Sequence, residues 1–130
     1  MSVRARVLVA LALAIAVACS DSTGPVAGSL TVSLTTPNSG LDEGLLLVVA
    51  SPTAPSAVQA TGALALWHTA PPRTVDTVAV TGTLSSGPLL TLSVGDVNQS
   101  SHYHAQLIQV AAAGTHALRA LTGYAVAVSK

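Results

Sequence analysis

Ser29-Leu30-Thr31-Val32-Ser33-Leu34-Thr35 alternates strictly between hydroxyl and aliphatic side chains. Successive side chains of an extended chain point to opposite faces. Leu30, Val32 and Leu34 therefore share one face and the hydroxyls the other. That pattern predicts a strand with one side in a core and one in water. Period two recurs downstream. Val78, Val80 and Leu84 fall on one face of Thr74 to Leu84, with a bulge expected at Gly82. Leu90, Leu92 and Val94 alternate with Thr91 and Ser93. Tyr124, Val126 and Val128 repeat the pattern near the C-terminal end. Ala63 to His68 and His102 to Ala111 are two further expected strands. Gly44 to Ser51, GLLLVVAS, is apolar on both faces, so it predicts an interior strand whose facing alternation does not reveal.

Turn chemistry separates these runs. Thr36-Pro37-Asn38-Ser39-Gly40 and Ser85-Ser86-Gly87-Pro88 are dense in turn formers. Pro52 and Pro55 bracket another break. Thr69-Ala70-Pro71-Pro72-Arg73 predicts a stiff exposed loop, because prolines cannot donate to a ladder. Gly95 to Ser101 is a loop. Ala112 to Gly123 is expected as loop or one short helical turn, since Ala117 to Leu121 is too short a run of helix formers. About seven strands at this spacing imply an all-β fold, an antiparallel β-sandwich over residues 29–130. Strand–helix alternation and a G-x-G-x-x-G turn are both missing, which argues against a nucleotide-binding α/β fold.

Composition narrows the function classes. The chain has 130 residues, enough for one domain, and only 8% are charged, with no net charge. A nucleic-acid binder driven by charge needs a basic patch, so no nucleic-acid partner is expected. The aromatic residues are Trp67, Tyr103 and Tyr124, thin for a stacking platform. A single cysteine, Cys19, leaves no internal disulfide and no cysteine zinc site.

The N-terminus has a different character. Arg4 and Arg6 precede VLVALALAIAVA, residues 7–18, an unbroken apolar run of twelve. A membrane-spanning helix needs ~20 such residues, whereas twelve after a basic start fit a signal-peptide core. A buried N-terminal helix is the alternative. Ala16-Val17-Ala18-Cys19-Ser20 then resembles a bacterial lipobox. The resemblance implies a signal peptide over 1–18, cleavage before Cys19, and lipidation of its thiol. Ala16 stands where Leu is commoner. Ordinary cleavage after Ala18, leaving a free thiol, is the other reading. Two or more acyl chains hold a protein stably at ~0.8 kcal/mol per buried CH₂.

Residues 19–28 are small, polar and broken by Gly24-Pro25, and are expected to be a flexible tether. From Cys19 onward there are five acids against three bases, so anionic headgroups offer no attraction. The membrane is then a partner only through the lipid. Ser20 beside Cys19 resembles lipoproteins sorted to an outer membrane. The expected location is the bacterial cell envelope, at the outer membrane or cell surface rather than the inner membrane.

Residues 29–130 look like small sandwich domains of bacterial cell-surface lipoproteins. The likeness rests on the Leu-Thr-Val-Ser-Leu strand, a Gly-Leu-Leu-Leu strand after an acidic turn, Asp96-Val97-Asn98 before Tyr103-His104-Ala105, and Leu121-Thr122-Gly123-Tyr124. Such domains are similar in outline to cohesin-like and immunoglobulin-like modules. The resemblance implies a structural or protein-interaction role, no catalysis, and a protein or glycan partner at the cell surface. In immunoglobulin-like sandwiches a Tyr near a strand start bonds back to upstream backbone. By that likeness Tyr103 is expected to be buried, bonded to the Gly95–Ser101 loop, with His102 and His104 facing outward.

Each chemical candidate has a plainer counterpart. His102 and His104, two apart on an expected strand, have metal-ligand spacing but lack an evident third ligand. Asp96 and Asn98, with Asp42 and Glu43, have loop oxygens but no EF-hand pattern, and Asx turns explain them. No metal or cofactor is therefore expected. Ser, His and Asp are present, yet without a G-x-S-x-G elbow, and the scattered acids give no glycosidase pair. Trp67 beside His68 is the one candidate ligand contact, where an exposed indole would stack on a sugar ring or a partner. The alternative is a Trp packing the end of a core that has no Phe. An exposed Trp67 keeps open a carbohydrate or small-ligand binding role, and a buried one removes it. Asn98-Gln99-Ser100 matches the glycosylation pattern, which is usually silent in bacteria.

Overall fold

The alternating stretch forms β1, Gly28–Thr35, and Leu30, Val32 and Leu34 are buried. The structure is a computed structural model and describes residues 24–130. The expected signal helix over 1–18, the lipidation site Cys19 and the tether up to Thr23 lie outside the described residues.

Seven further strands follow: β2 (Asp42–Ala50), β3 (Ala57–Ala60), β4 (Ala65–Trp67), β5 (Val75–Leu84), β6 (Gly87–Val94), β7 (His104–Ala112) and β8 (Ala125–Ser129). They form two four-stranded sheets, ordered β3-β6-β1-β8 and β4-β5-β2-β7, with every pairing antiparallel. This is the expected all-β sandwich. Its core is aliphatic, built from alternate residues of both sheets, with Tyr103 as its one buried aromatic residue.

β2 is central, paired to β5 on one side and β7 on the other. Leu45, Leu47 and Val49 face the core. Leu46 and Val48 face out and remain partly exposed. The expected bulge is present on β5. Thr81 stands opposite Gly44 and Leu84 opposite Asp42, so β5 spends one residue more than β2. Gly82 has φ of 122°, a region that disfavours side-chain-bearing residues.

Several boundaries differ from expectation. There are eight strands, because Ala57–Ala60 pairs with β6 on the edge of the first sheet. Ala63 to His68 contracts to the three residues of β4. Gly28 belongs to β1 rather than to the tether. A Cβ there would lie 2.8 Å from Val97 Cγ1, so glycine permits the close approach of Val97 to the start of β1. Val97–His102 is a 3₁₀ helix rather than loop and strand, capped by Asp96, whose carboxylate accepts from the Asn98 amide at 3.0 Å. Tyr124 precedes the last strand rather than opening it. Of the two readings of Ala112 to Gly123, the non-helical one holds, and the segment returns along β7 with a bridge between Ala111 and Leu118.

The pairings fix two ends. At the near end lie Gly28, the 51–56 and 68–74 loops, the 3₁₀ helix and Lys130. At the far end lie the 36–41, 85–86 and 113–124 turns. Val26 is tied to the near end by two bonds, its amide to Asp96 Oδ1 at 3.3 Å and its carbonyl to the Val97 amide at 2.8 Å.

Candidate functional site

Trp67 ends β4, and its register partner is Ala79 on β5. The indole is 59% exposed. It does not pack the core, because β4 is an edge strand and Trp67 has the outward parity, while Leu66 faces in. His68 follows it and is partly buried. Its Nδ1 lies 2.8 Å from the Thr69 carbonyl oxygen and 3.5 Å from Asp76 Oδ2. Asp76 is buried, and its Oδ1 accepts the Thr69 amide at 3.4 Å. Oδ1 thus holds the start of the Pro71-Pro72 loop, while Oδ2 lies near the imidazole without a hydrogen bond. Trp67 and His68 are adjacent, but only Trp67 presents an open face.

That face is wider than one residue. The outer surface of the β4-β5-β2-β7 sheet holds Ala65 and Trp67 on β4, and Val75, Thr77, Ala79 and Thr81 on β5. Gly44, Leu46, Val48 and Ala50 follow on β2, then His104, Gln106, Gln109 and Ala111 on β7. None of these residues is Asp, Glu, Lys or Arg, and Glu43 and His116 border the face at its far end, beside Gly44, Thr81 and Ala111. Leu118 stands beside Ala111 at its margin, 65% exposed, and Val75 is 64% exposed. The opposite sheet presents Ser29, Thr31, Ser33, Thr91 and Ser93 instead. The two outer faces therefore differ, one rich in hydroxyls and the other mixing Trp67, Val75, Leu46 and Val48 with Thr, Gln and His104. An exposed contiguous apolar patch on a folded domain marks an interaction surface. Between β2 and β7 the apolar face dips into a hollow of about 120 Å³, lined by Gly44, Leu45, Leu46, Gln109, Ala111 and Leu118.

The far end carries the polar interior. Asp42, expected as a turn acid, is buried at the start of β2. Its Oδ1 accepts Arg119 Nε at 2.8 Å and its Oδ2 accepts the Tyr124 hydroxyl at 2.5 Å. Asn38 Nδ2 donates to the same hydroxyl at 2.9 Å. The hydrogen bond to Asp42 raises the Arg119 pKa further, so this guanidinium stays charged. Next to it, His116 Nδ1 contacts Glu43 Oε1. That contact is an ion pair when the ring is protonated, without the alignment of a hydrogen bond, since Oε1 is buried with no directed donor. His116 adopts φ of 58°, on the tight turn that aims it at Glu43. Both line an open groove of about 580 Å³ with Thr81, Gly82, Thr83 and Ala111. The groove's two ionisable side chains face each other.

The histidine pair is not as expected. His102 ends the 3₁₀ helix and His104 begins β7, so they do not share a strand face, although both are exposed. Among the described residues no group of three His, Cys, Asp or Glu is placed to hold a metal. Asp96 accepts two backbone amides and Asn98 Oδ1 accepts Lys130 Nζ at 3.1 Å, which makes both structural. Tyr103 is buried between two outward histidines. Burial, and then the Asp96 charge, raise its hydroxyl above the usual tyrosine range. The Tyr103 hydroxyl makes no hydrogen bond to Gly95–Ser101, a correction to the expected corner. Its amide bonds Ser100 instead.

Sequence reasoning missed the Asp42, Arg119 and Tyr124 cluster, because its members stand 77 and 82 residues apart. It also missed the apolar outer face, although GLLLVVAS, apolar on both sides, carried that signal. Comparison with family models, curated proteins and solved structures finds no match to the chain.

Proposed function

We propose that this chain is a lipid-anchored cell-envelope lipoprotein whose sandwich serves protein interaction rather than catalysis. The observation that carries the interaction role is the outer face of the β4-β5-β2-β7 sheet, where Leu46, Val48 and Val75 stand exposed or half-exposed and Trp67 stands from the edge. The anchor rests on Ala16-Val17-Ala18-Cys19 after its basic and apolar run. Val26, pinned at the near end by Asp96 and Val97, sets the direction from which a tether arrives. The test is incorporation of labelled palmitate with detergent phase partition, wild type against Cys19→Ser. Wild type is expected to take up lipid and enter the detergent phase, and the mutant neither. A wild type without lipid, or a mutant that still partitions as a cleaved membrane protein, removes the anchor.

The exposure of Trp67 favours a second reading, a carbohydrate or small-ligand surface lipoprotein using Trp67 and the adjacent loops. Trp67 is the only tryptophan, so its emission reports on that ligand directly. Titration with neutral oligosaccharides should shift it if the reading holds, and a flat response removes it.

A further inference from the structure

We infer that the apolar sheet face binds a second copy of this chain, about a two-fold axis parallel to the strands, each Trp67 seating in the other copy's hollow beside Leu118. The inference deepens the interaction role proposed above and rests on it. Charge comes first. The outward side chains of these strands include no Asp, Glu, Lys or Arg, and Glu43 and His116, which border the face at its far end, contact each other, so two copies can meet along most of the face without a like-charge contact.

Shape selects the axis. Trp67, Ala79, Leu46 and Gln109 lie in one row across the sheet, by register. An axis along the strands leaves heights unchanged and lays the β4 edge of one copy over the β7 edge of the other. The indole, which stands at one margin of the face, then meets the hollow between Leu46, Gln109, Ala111 and Leu118 at the other margin. Both copies make the same contact, as closed two-fold pairing requires. An axis across the strands lays β4 on β4 and leaves both hollows empty. It also points the near ends in opposite directions. The parallel axis points both toward one membrane.

Size sets the strength. Four strands ~4.8 Å apart and a β2 rising ~3.3 Å per residue give a face of roughly 500 Å², about 1,000 Å² over the pair. That is at the lower limit for a specific interface, so the pair is weak and reversible. Tethering in one membrane raises the effective concentration that such a contact needs. Sheets packed face to face keep their strands within about 30°, which this axis allows.

The experiment uses the full chain in detergent, followed across a concentration series by sedimentation and by Trp67 emission. The expected result is a monomer–dimer equilibrium with emission shifting to the blue as dimer forms. Leu118→Asp, at an exposed position, should weaken association about tenfold or more by placing a charge in the hollow. Gln59→Glu, on the other sheet, should leave it unchanged. A wild type that stays monomeric with constant emission overturns the inference. So does a dimer that Leu118→Asp does not weaken. A blue shift on adding phosphatidylcholine vesicles to monomer assigns the face to lipid and overturns it. A shift with oligosaccharide in a persistent monomer overturns it while keeping a binding module.

Discussion

Two tyrosines, Tyr103 and Tyr124, exchange the roles that a sandwich tyrosine is expected to play. Tyr103 is buried as a packing ring, and its hydroxyl has no partner in the loop above it. Tyr124 is partly exposed, yet its hydroxyl donates to the buried Asp42 carboxylate and accepts from Asn38. A hydrogen bond to an ionised group contributes ~1.5–3 kcal/mol, and its loss would leave Asp42 under-solvated. Tyr124→Phe should therefore lower stability by ~1.5–3 kcal/mol, while Tyr103→Phe should stay within ~0.5 kcal/mol of wild type. Urea unfolding of both variants checks this, and equal losses would contradict it. The cluster was illegible in the sequence for a physical reason. An acid after Gly40-Leu41 looks like a turn residue until the fold brings Arg119 to it along β7 and Tyr124 from the approach to β8.

At the scale of elements, strands that face a core on one side were legible. β1, β5 and β6 each alternate, and their inward residues are the buried ones. β3 was not, because four residues between Pro55 and Gly62 give too little period to detect. The 3₁₀ helix was not, because its cause is a cap from Asp96 and not a hydrophobic pattern. The facing of β2 needed both neighbours to be placed before Leu45 could be told from Leu46. The β5 bulge was legible through one glycine, and that glycine gives a prediction. A Cβ at Gly82 would sit 3.0 Å from Leu64 Cδ2, at φ of 122°. Gly82→Ala should cost ~1–3 kcal/mol through strain at that φ, more than any contact it removes. Denaturant unfolding measures it. A neutral result would mean that the bulge re-forms without the glycine.

For the whole molecule, the two sides of one sheet carry different duties, and stability and association should separate along them. The core is aliphatic and lacks Phe, so each large side chain holds a sizeable share of a total stability of ~5–15 kcal/mol. Leu47, on the inner side of the central strand, has no solvent exposure. Leu47→Ala should cost ~2–5 kcal/mol, from lost transfer energy and the cavity left behind. Leu118, at the rim of the outer side, is 65% exposed and lines the hollow. Leu118→Asp should change monomer stability by no more than ~0.5 kcal/mol, since a substitution away from core, caps and strained backbone seldom does more. Unfolding at a protein concentration low enough to hold only monomer tests both, with an unchanged urea slope as the sign that the unfolded reference is the same. If Leu118→Asp instead destabilises the monomer as Leu47→Ala does, the outer face belongs to the fold and not to a partner. If it leaves the monomer intact while association weakens, the face that GLLLVVAS builds outside the core is kept apolar for binding.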